Sequence, residues 1–269
     1  MPEHKFPCGH VFCECCCTEL GQPQELDCYL YSFTTCPLCV QPCAVSVRIK
    51  PPTAGARVLT IDGGGIRAVI PIQFLRALEA ALGLDMPVQE HFDFAYGTSS
   101  GSMVIMALFG LGMKVEQVHS LFMNLAQRVF KGRTPLGFSF IGAFYSLVAS
   151  CRHGQFPAED IDKSLFEMFG DTTMMDHPYT SAIGARIGFP IVDVDSHTGP
   201  STCLVTSYNG AGQVRDTDTD GRDTYRVLRS GNAEDQILAR DAVRCSSAAP
   251  WYFTPHQIPE HGQFMDGGM

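Results

Sequence analysis

The sequence predicts an α/β domain with a mostly parallel central sheet, preceded by a small cysteine-rich module that a zinc ion staples. One observation behind this is the order strand, glycine turn, helix, strand, serine turn, helix over residues 58–108, which is typical of parallel sheets. The other is the cysteine distribution, since nine of the 12 cysteines lie between Cys8 and Cys43. A segment this short buries little apolar surface, so it needs a stabilising cross-link such as a bound zinc ion.

Three segments follow from these patterns: a cysteine-rich module over 1–44, a linker over 45–57 and an α/β domain over 58–269. Pro51 and Pro52 interrupt regular structure in the linker. No secretory signal precedes the cysteine cluster, which favours metal binding in a reducing compartment over disulfides. We therefore expect a cytoplasmic protein, with a peripheral position at membranes left open.

The composition excludes several kinds of partner. The formal net charge is −9 and no basic stretch offsets it, so nucleic acid is not expected as a partner. The same charge disfavours a simple electrostatic attachment to anionic lipid surfaces. Because no apolar run is long enough to cross a bilayer, we expect no transmembrane segment.

The α/β domain is predicted to begin with a strand over Val58–Ile61, a turn over Asp62–Gly65 and a helix over Pro71–Leu82. Pro71 suits the first turn of a helix, and Gly83 suits the position just after its end. The spacing of the apolar residues indicates that they line one face of this helix. That face is predicted to consist of Ile72, Phe74, Leu75, Leu78 and Leu82.

The next strand and helix frame a candidate nucleophile, Ser99. A strand-like run over His91–Tyr96 leads into the pentapeptide Gly97–Gly101, and an apolar run over Ser102–Leu108 starts a helix. A Gly-x-Ser-x-Gly sequence on a strand-to-helix turn exposes the serine hydroxyl above the sheet. The pentapeptide alone is also typical of a glycine-rich turn with a capping serine, so the prediction depends on its context.

The turn before the first helix supplies a candidate oxyanion hole. Gly63, Gly64 and Gly65 allow successive backbone N–H groups to point into one concavity that binds an anion. A nucleotide-phosphate loop is the alternative, but Ala68 breaks the dinucleotide fingerprint and no Gly-Lys-Ser/Thr ending follows. We therefore expect no nucleotide cofactor.

A base for the serine must come from a distant part of the chain. Asp266 follows a short apolar pair, whereas His256 and His261 lie in proline-rich, loop-like stretches that are typical of surface histidines. Asp266 is therefore the better candidate for the base.

Two other patterns have an alternative interpretation. The segment Asp216–Gly221 opens with the spacing of a calcium loop, but Val227 stands where a bidentate glutamate is needed, so we expect no calcium site. The apolar run Phe138–Tyr145 favours buried core, with contact to a membrane or an acyl chain as the alternative.

Three motifs, in this order along the chain, resemble those of the patatin-like phospholipases. They are Ile61–Arg67, Gly97–Gly101 and Asp266–Gly268. The segment Ala239–Phe253 is also similar to the helix before the catalytic aspartate in that family. The resemblance covers residues 57–269 and implies a three-layer fold around a mostly parallel sheet.

The resemblance implies a serine acyl hydrolase with a Ser–Asp dyad and no histidine. Ser99 would attack an ester carbonyl and form an acyl-enzyme, while Asp266 would accept the serine proton and later activate water. The implied substrates are phospholipids or neutral acylglycerols at a membrane or droplet surface, hydrolysed without calcium. The oxyanion hole and the supporting motif positions carried over are Gly63, Gly64, Gly65, Asp62, Arg67, Gly97, Gly101, Gly267 and Gly268.

The sequence departs from the family pattern at two places. Ala68 stands where the family usually has glycine after the arginine, which would tighten the loop. The sequence stops just after Asp266-Gly267-Gly268, where the family continues with further strand and helix. The expectation is therefore an α/β domain truncated at its C-terminus.

The cysteine-rich module resembles the second half of a RING finger. Thiolates and imidazole at these spacings suit tetrahedral zinc. In the RING cross-brace one structural zinc ion would be held by Cys8, His10, Cys36 and Cys39. Cys13 and Cys16 would be half of a second site, whose usual partners, an earlier Cys-x-x-Cys, do not precede Cys8, so the N-terminus is also expected to be cut. The ligands that could replace them are Cys15, Cys17, Cys28 and Cys43.

A RING-like module raises a rival function, that of a ubiquitin-ligase-type or non-catalytic zinc-dependent interaction protein. Val40 follows the last Cys-x-x-Cys, where active ligases often carry a basic residue. We therefore favour a structural module that docks a protein partner beside a lipid acyl hydrolase.

Overall fold

The computed structural model describes residues 4–51, 53–130, 158–195, 199–211, 225–231 and 236–268. The apolar run Phe138–Tyr145 and the calcium-like segment Asp216–Gly221 lie outside the described residues. No helix in the described part of the chain is both long and apolar enough to cross a membrane.

The N-terminal module combines a short hairpin, one helix and a three-stranded antiparallel sheet. Its elements are β1 (His4–Lys5), β2 (Val11–Phe12), α1 (Glu14–Leu20), β3 (Gln22–Gln24), β4 (Asp27–Thr35) and β5 (Pro42–Arg48). Phe6 stands at the centre of its small core, with ring centroids 4.5 Å from Phe12 and 4.9 Å from Phe33. The strand β5 extends into the segment 45–57, which was assigned above to a linker. Val47 in this segment pairs with β4 and is buried.

A seven-stranded sheet organises the second part of the chain. Its strands are β6 (Val58–Ile61), β7 (Phe94–Gly97), β8 (Arg186–Asp193), β9 (Ser201–Thr206), β10 (Tyr225–Val227), β11 (His256–Ile258) and β12 (Gly262–Asp266). β6, β7 and β8 pair in parallel, and so do β9 and β10. β8 also pairs antiparallel with β9 and with β12, which pairs antiparallel with β11. The predicted α/β architecture is confirmed, and the carboxyl ends of parallel strands β6 and β7 come together at one edge.

Six helices complete the described part of this domain. They are α2 (Val69–Leu82), α3 (Ser100–Ile105), α4 (Val115–Phe130), α5 (Ala158–Phe169), α6 (Pro178–Ile183) and α7 (Ala239–Ser246). A 3₁₀ turn over Gly65–Ala68 leads into α2, and a π-helical turn over Met106–Gly110 continues α3. Every residue of α3 and of this π turn is buried, so the helix that follows Ser99 lies in the core.

The helix α2 is buried on a narrower face than its apolar spacing predicts. Ile72 and Leu75 are buried in the core. Phe74, Leu78 and Leu82, predicted on the same face, are 72%, 40% and 40% exposed, so that prediction was wrong. The spacing misled because α2 is apolar on two sides, and periodicity alone does not say which side meets the core.

The N-terminal module contacts the α/β domain through polar side chains. Glu14 of α1 forms an ion pair with Arg186 at the start of β8. The Nδ1 atom of His4 lies 3.2 Å from the hydroxyl oxygen of Ser181 in α6. These contacts place the module at the amino end of β8, whereas the motif residues lie near the carboxyl ends of β6 and β7.

Candidate active site

Ser99 lies on a sharp turn between β7 and α3. The strand ends at Gly97 and the helix begins at Ser100, so a single turn reverses the chain direction. Ser99 has φ 54° and ψ −128°, in a region that non-glycine residues seldom occupy. Such a conformation costs about 1–3 kcal/mol and persists only where the surrounding structure holds it. The predicted nucleophile elbow is thus a strained turn that the rest of the fold maintains.

Hydrogen bonds from α7 and α3 hold the backbone of Ser99. Its N–H donates to the hydroxyl of Ser246 at 3.1 Å, and that hydroxyl donates to the carbonyl of Pro190 in β8, also at 3.1 Å. Its carbonyl accepts from the hydroxyls of Ser102 at 2.6 Å and Ser247 at 3.3 Å. The elbow is therefore tied to the central strand as well as to its own helix.

Glycines flank Ser99 because the backbones meet at very short distances. A Cβ atom added at Gly97 would lie 2.4 Å from the carbonyl oxygen of Gly101. One added at Gly101 would lie 2.2 Å from the carbonyl oxygen of Ile61, the last residue of β6, and 3.0 Å from that of Asp62. The elbow thus packs against the end of β6, where the glycine-rich turn begins.

We predict that Gly101→Ala lowers the free energy of unfolding by about 2 kcal/mol or more, since backbone must move to admit the methyl group. Urea unfolding followed by circular dichroism measures this. The matched control is Gly55→Ala, where a Cβ atom would have no neighbour within 4 Å. Equal midpoints for the two variants would contradict the close approach of Gly101 to β6.

Asp266 ends β12 and is buried, with 5% of its surface exposed. Its N–H donates to the carbonyl of Ala248 at 3.2 Å, and its Oδ1 accepts from the N–H of Gly268 at 2.9 Å. A Cβ atom added at Gly267 would lie 2.3 Å from the carbonyl oxygen of Pro190, so the chain after Asp266 packs tightly on β8.

Burial raises the pKa of the Asp266 carboxyl above its ordinary value. Hydrogen bonding from the Ser99 hydroxyl and from the Gly268 N–H acts in the opposite direction but does not outweigh burial. A raised pKa makes this carboxylate a better proton acceptor than an exposed aspartate.

The glycine turn lies directly against Ser99. A Cβ atom added at Gly63 would lie 2.5 Å from the Cβ atom of Ser99 and 3.3 Å from its hydroxyl oxygen. Gly64 and Gly65 have φ of 143° and 58°, values that favour glycine. The side chain of Arg67 lies beside the turn, since a Cβ atom added at Gly64 would be 3.3 Å from the Cβ atom of Arg67. The structure therefore brings the predicted oxyanion loop and the predicted nucleophile together.

Ser99 and Asp266 open into one cavity of about 1030 Å³. Gly63, Gly64 and Gly65 also line it. Its apolar lining includes Met103, Phe122, Leu125, Ile161 and Phe253. None of the described residues around the cavity is a histidine. The site thus combines a hydroxyl, a buried carboxyl and a glycine loop beside a large apolar space, which suits attack on the carboxylic ester of a long apolar chain.

Two residues that orient the elbow, Ser246 and Ser247, were not singled out by the sequence. The available signal was their position inside Ala239–Phe253, the segment that resembled the family's helix before the aspartate. His256, which the sequence assigned to the surface, does not line the cavity. Its Nε2 atom lies 3.0 Å from Oδ1 of Asp241.

A separate cluster in the N-terminal module could hold a metal ion. The ligand atoms of Cys8, His10, Cys36 and Cys39 all lie within 4.8 Å of one another. The Nδ1 atom of His10 is 3.4 Å from Sγ of Cys8 and 3.6 Å from Sγ of Cys36. Tetrahedral zinc with one nitrogen and three sulfur ligands needs these atoms roughly 3.5–3.8 Å apart. The structure therefore brings the four predicted ligands of the first site together, and the two distances from His10 are close to those that zinc needs.

The predicted second metal site is incomplete in the described residues. The Sγ atoms of Cys13 and Cys16 lie 3.3 Å apart at the start of α1. In the part of the chain that the structure describes, no third His, Cys, Asp or Glu completes a cluster with them. The structure thus pairs these two cysteines without assembling a metal site around them.

The sequence is similar to those of known proteins. A family model described as "Patatin-like phospholipase" matches residues 59–269. The chain is 27% identical over 220 residues to a "cGAMP-activated phospholipase" of Escherichia coli (strain TW11681), which covers 79% of this chain and 52% of that protein. It is 24% identical over 215 residues to "Calcium-independent phospholipase A2-gamma" of Oryctolagus cuniculus, covering 80% of this chain and 24% of that protein.

The matched regions are only part of these relatives. The chain covers 6% of the length of "Phospholipase A I" of Arabidopsis thaliana, with 38% identity over 84 residues. Among solved structures, VipD from Legionella pneumophila is similar with a TM-score of 0.42 and 12% identity, over 93% of this chain and 50% of that one.

Proposed function

Because the chain belongs to the patatin-like phospholipase family, we propose that it hydrolyses the carboxylic esters of lipids, with Ser99 as nucleophile and Asp266 as general base. The observation that carries this proposal is the meeting of the strained Ser99 with the buried Asp266 carboxyl in one apolar cavity. No histidine among the described residues around the cavity competes for the role of base.

The acylation step begins when the Ser99 hydroxyl oxygen attacks the ester carbonyl carbon. Asp266 accepts the hydroxyl proton as the new C–O bond forms, because an ordinary serine is too weak an acid to ionise first. The tetrahedral intermediate then collapses and the bond to the leaving alcohol breaks. The protonated Asp266 gives its proton to that alcohol, which leaves an acyl-Ser99 ester.

Deacylation repeats the same chemistry with water. Asp266, ionised again, takes a proton from a water molecule that attacks the acyl-Ser99 carbonyl. Collapse of the second tetrahedral intermediate releases a fatty acid, and Asp266 returns its proton to the Ser99 oxygen. In each step Asp266 gives back the proton that it accepts, so Ser99 and Asp266 end the cycle unchanged.

The negative charge on each tetrahedral intermediate needs hydrogen-bond donors close to Ser99. The loop of Gly63, Gly64 and Gly65 is the best-placed source, since Gly63 contacts the Ser99 side chain. A lost oxyanion donor typically raises a barrier by about 3 kcal/mol. Calcium is not needed in this scheme, in keeping with the name of one relative, calcium-independent phospholipase A2-gamma.

The test of the proposed function is fatty acid release from phosphatidylcholine in calcium-free buffer. We expect steady release, which added calcium does not increase. An absolute requirement for calcium, or no release from phospholipids, acylglycerols and short soluble esters alike, would contradict the proposal.

We propose that the N-terminal module holds one structural zinc ion through Cys8, His10, Cys36 and Cys39. Zinc would join the β1–β2 hairpin to the segment between β4 and β5, since these ligands come from both. Such a tie supplies folding free energy to a module with a small core.

We predict that metal analysis finds one zinc per chain and that Cys36→Ser loses it, because a hydroxyl is a poor zinc ligand. The matched control is Cys28→Ser, an exposed cysteine outside the cluster, which should retain full zinc content. Two zinc ions per chain, or equal zinc in the two variants, would contradict the single-site assignment.

A further inference from the structure

The outer side of α2 carries an apolar stripe with no charged residue. It consists of Ile66, in the turn before the helix, followed by Ile70, Phe74, Ala77 and Ala81, all of them exposed. Their spacing of four, four, three and four places them on one side of a helix. A surface helix normally turns charged or polar residues to solvent. Because α2 already buries Ile72 and Leu75 on another side, its own core does not explain this stripe.

A second exposed apolar group follows α7. Trp251 and Tyr252 are 63% and 50% exposed. Trp251 has φ 72°, a backbone conformation that bulky residues seldom adopt. Tryptophan and tyrosine favour the boundary between the apolar and polar layers of a membrane, because one end of each ring is apolar and the other polar.

Members of both groups line the Ser99 cavity. Ile66, Trp251 and Tyr252 line that cavity although each is at least half exposed, so they form its rim. Ile70 and Phe74 extend the rim outward along α2, since they lie four and eight residues beyond Ile66. The apolar outer surface is therefore continuous with the apolar space in which Ser99 and Asp266 lie.

We propose that this rim, made of Ile66, Ile70, Phe74, Trp251 and Tyr252, inserts into the apolar layer of a phospholipid bilayer. An acyl chain would then pass from the bilayer into the cavity without crossing water. The proposal rests on the proposed function for its substrate and adds the face by which the protein reaches it. Contiguous exposed apolar surface of this kind marks an interaction site on a soluble protein.

The net charge of the chain determines which lipid composition we expect the protein to bind. With a net charge of −9, the protein gains no general attraction to anionic lipid. Binding through the rim depends on apolar burial, which salt does not screen. We therefore expect vesicles of zwitterionic phosphatidylcholine to bind at least as well as anionic vesicles, at low and at high salt.

The experiment uses the fluorescence of Trp251, which is the single tryptophan of the chain. The protein carries Ser99→Ala so that the lipid is not consumed, and the vesicles are phosphatidylcholine with bromine-labelled acyl chains. We expect a blue shift and quenching of Trp251 emission. Adding Ile70→Gln and Phe74→Gln should weaken vesicle binding by about tenfold or more, since two large apolar side chains no longer insert. The matched control is Leu26→Gln, a fully exposed leucine at the turn between β3 and β4.

The outcomes separate this proposal from the proposed function. Unquenched Trp251, unchanged binding by the Ile70/Phe74 variant, or equal weakening by Leu26→Gln would overturn the membrane face. So would self-association of the protein that this variant abolishes without any vesicle binding. The same two substitutions in a protein with Ser99 intact should leave hydrolysis of a short soluble ester unchanged. Failure of ester hydrolysis with normal vesicle binding would count against the proposed function alone.

Discussion

Replacing Ser99 by alanine is expected to abolish ester hydrolysis and to leave the fold intact. The Ser99 hydroxyl forms the bond of the acyl-enzyme, and no other group in the described site can form that bond at the same position. Removal of a catalytic nucleophile typically lowers turnover by about 10⁴-fold or more. The measurement is the turnover of a short soluble ester and of phosphatidylcholine vesicles by wild type and variant.

The control for Ser99→Ala is the adjacent Ser100→Ala. The Ser100 hydroxyl is buried and has no hydrogen-bond partner among the described residues, so its loss removes no interaction. We expect this control to keep turnover within about tenfold of wild type. Comparable losses in both variants would contradict a specific role for Ser99, and so would equal turnover by Ser99→Ala and wild type.

Replacing Asp266 by asparagine is expected to lower turnover by about 10³-fold while preserving the structure. The amide keeps the shape of the side chain but accepts no proton, and general base catalysis is worth about 10²–10⁴-fold. Asp241→Asn is the matched control, because that carboxylate pairs with His256 rather than lining the cavity. A loss for Asp241→Asn as large as that for Asp266→Asn would contradict the assignment of the base.

The pKa of Asp266 also gives the variant a signature in stability. Burial raises this pKa in the folded protein, so the ionised form opposes folding. The contribution of the carboxyl to stability is then fully present at low pH and is lost as the pH rises through the raised pKa. At neutral pH, the free energy of unfolding of Asp266→Asn should therefore equal or exceed that of wild type. That result would exclude unfolding as the cause of its inactivity.

The same pKa fixes the acid side of the pH profile. Asp266 must be ionised to act as base, so turnover should fall as the pH drops through its raised pKa. That limb should lie at higher pH than the ordinary aspartate value of about 3.9. A profile that stays flat down to that ordinary value would contradict a buried carboxyl as the base.

The sequence identified candidates for the site more completely than it predicted the packing around them. Ser99 could be found because the close backbone contacts around it require glycine on both sides, which gives the sequence a short motif. Asp266 could not be found by a local rule, since its approach to Ser99 depends on the pairing of β12 with β8. Its position after an apolar pair made it the better candidate, and the family resemblance supplied its role in a dyad. Ser246 escaped notice because a buried serine that bridges two backbones carries no signature in the sequence.

Apolar periodicity had a similar limit. It predicted α2 correctly as a helix but placed the exposed Phe74 on one face with the buried Ile72 and Leu75, because periodicity reports apolar residues and not what covers them. Val47 lies in the segment assigned to the linker, and pairing with β4 buries its side chain. Both differences depend on contacts between distant segments, which no local window contains.

The central claim is that Ser99 is the nucleophile of a lipid acyl hydrolase, and covalent labelling tests it most directly. A fluorophosphonate carrying an alkyl chain reacts with an activated serine and leaves a stable adduct. Mass spectrometry of the digested protein should find one adduct, on Ser99, with hydrolysis lost in proportion to labelling and with labelling strongly slowed in Asp266→Asn. Full hydrolytic activity in a protein whose Ser99 is quantitatively labelled, or an inactivating adduct on another residue, would contradict the account.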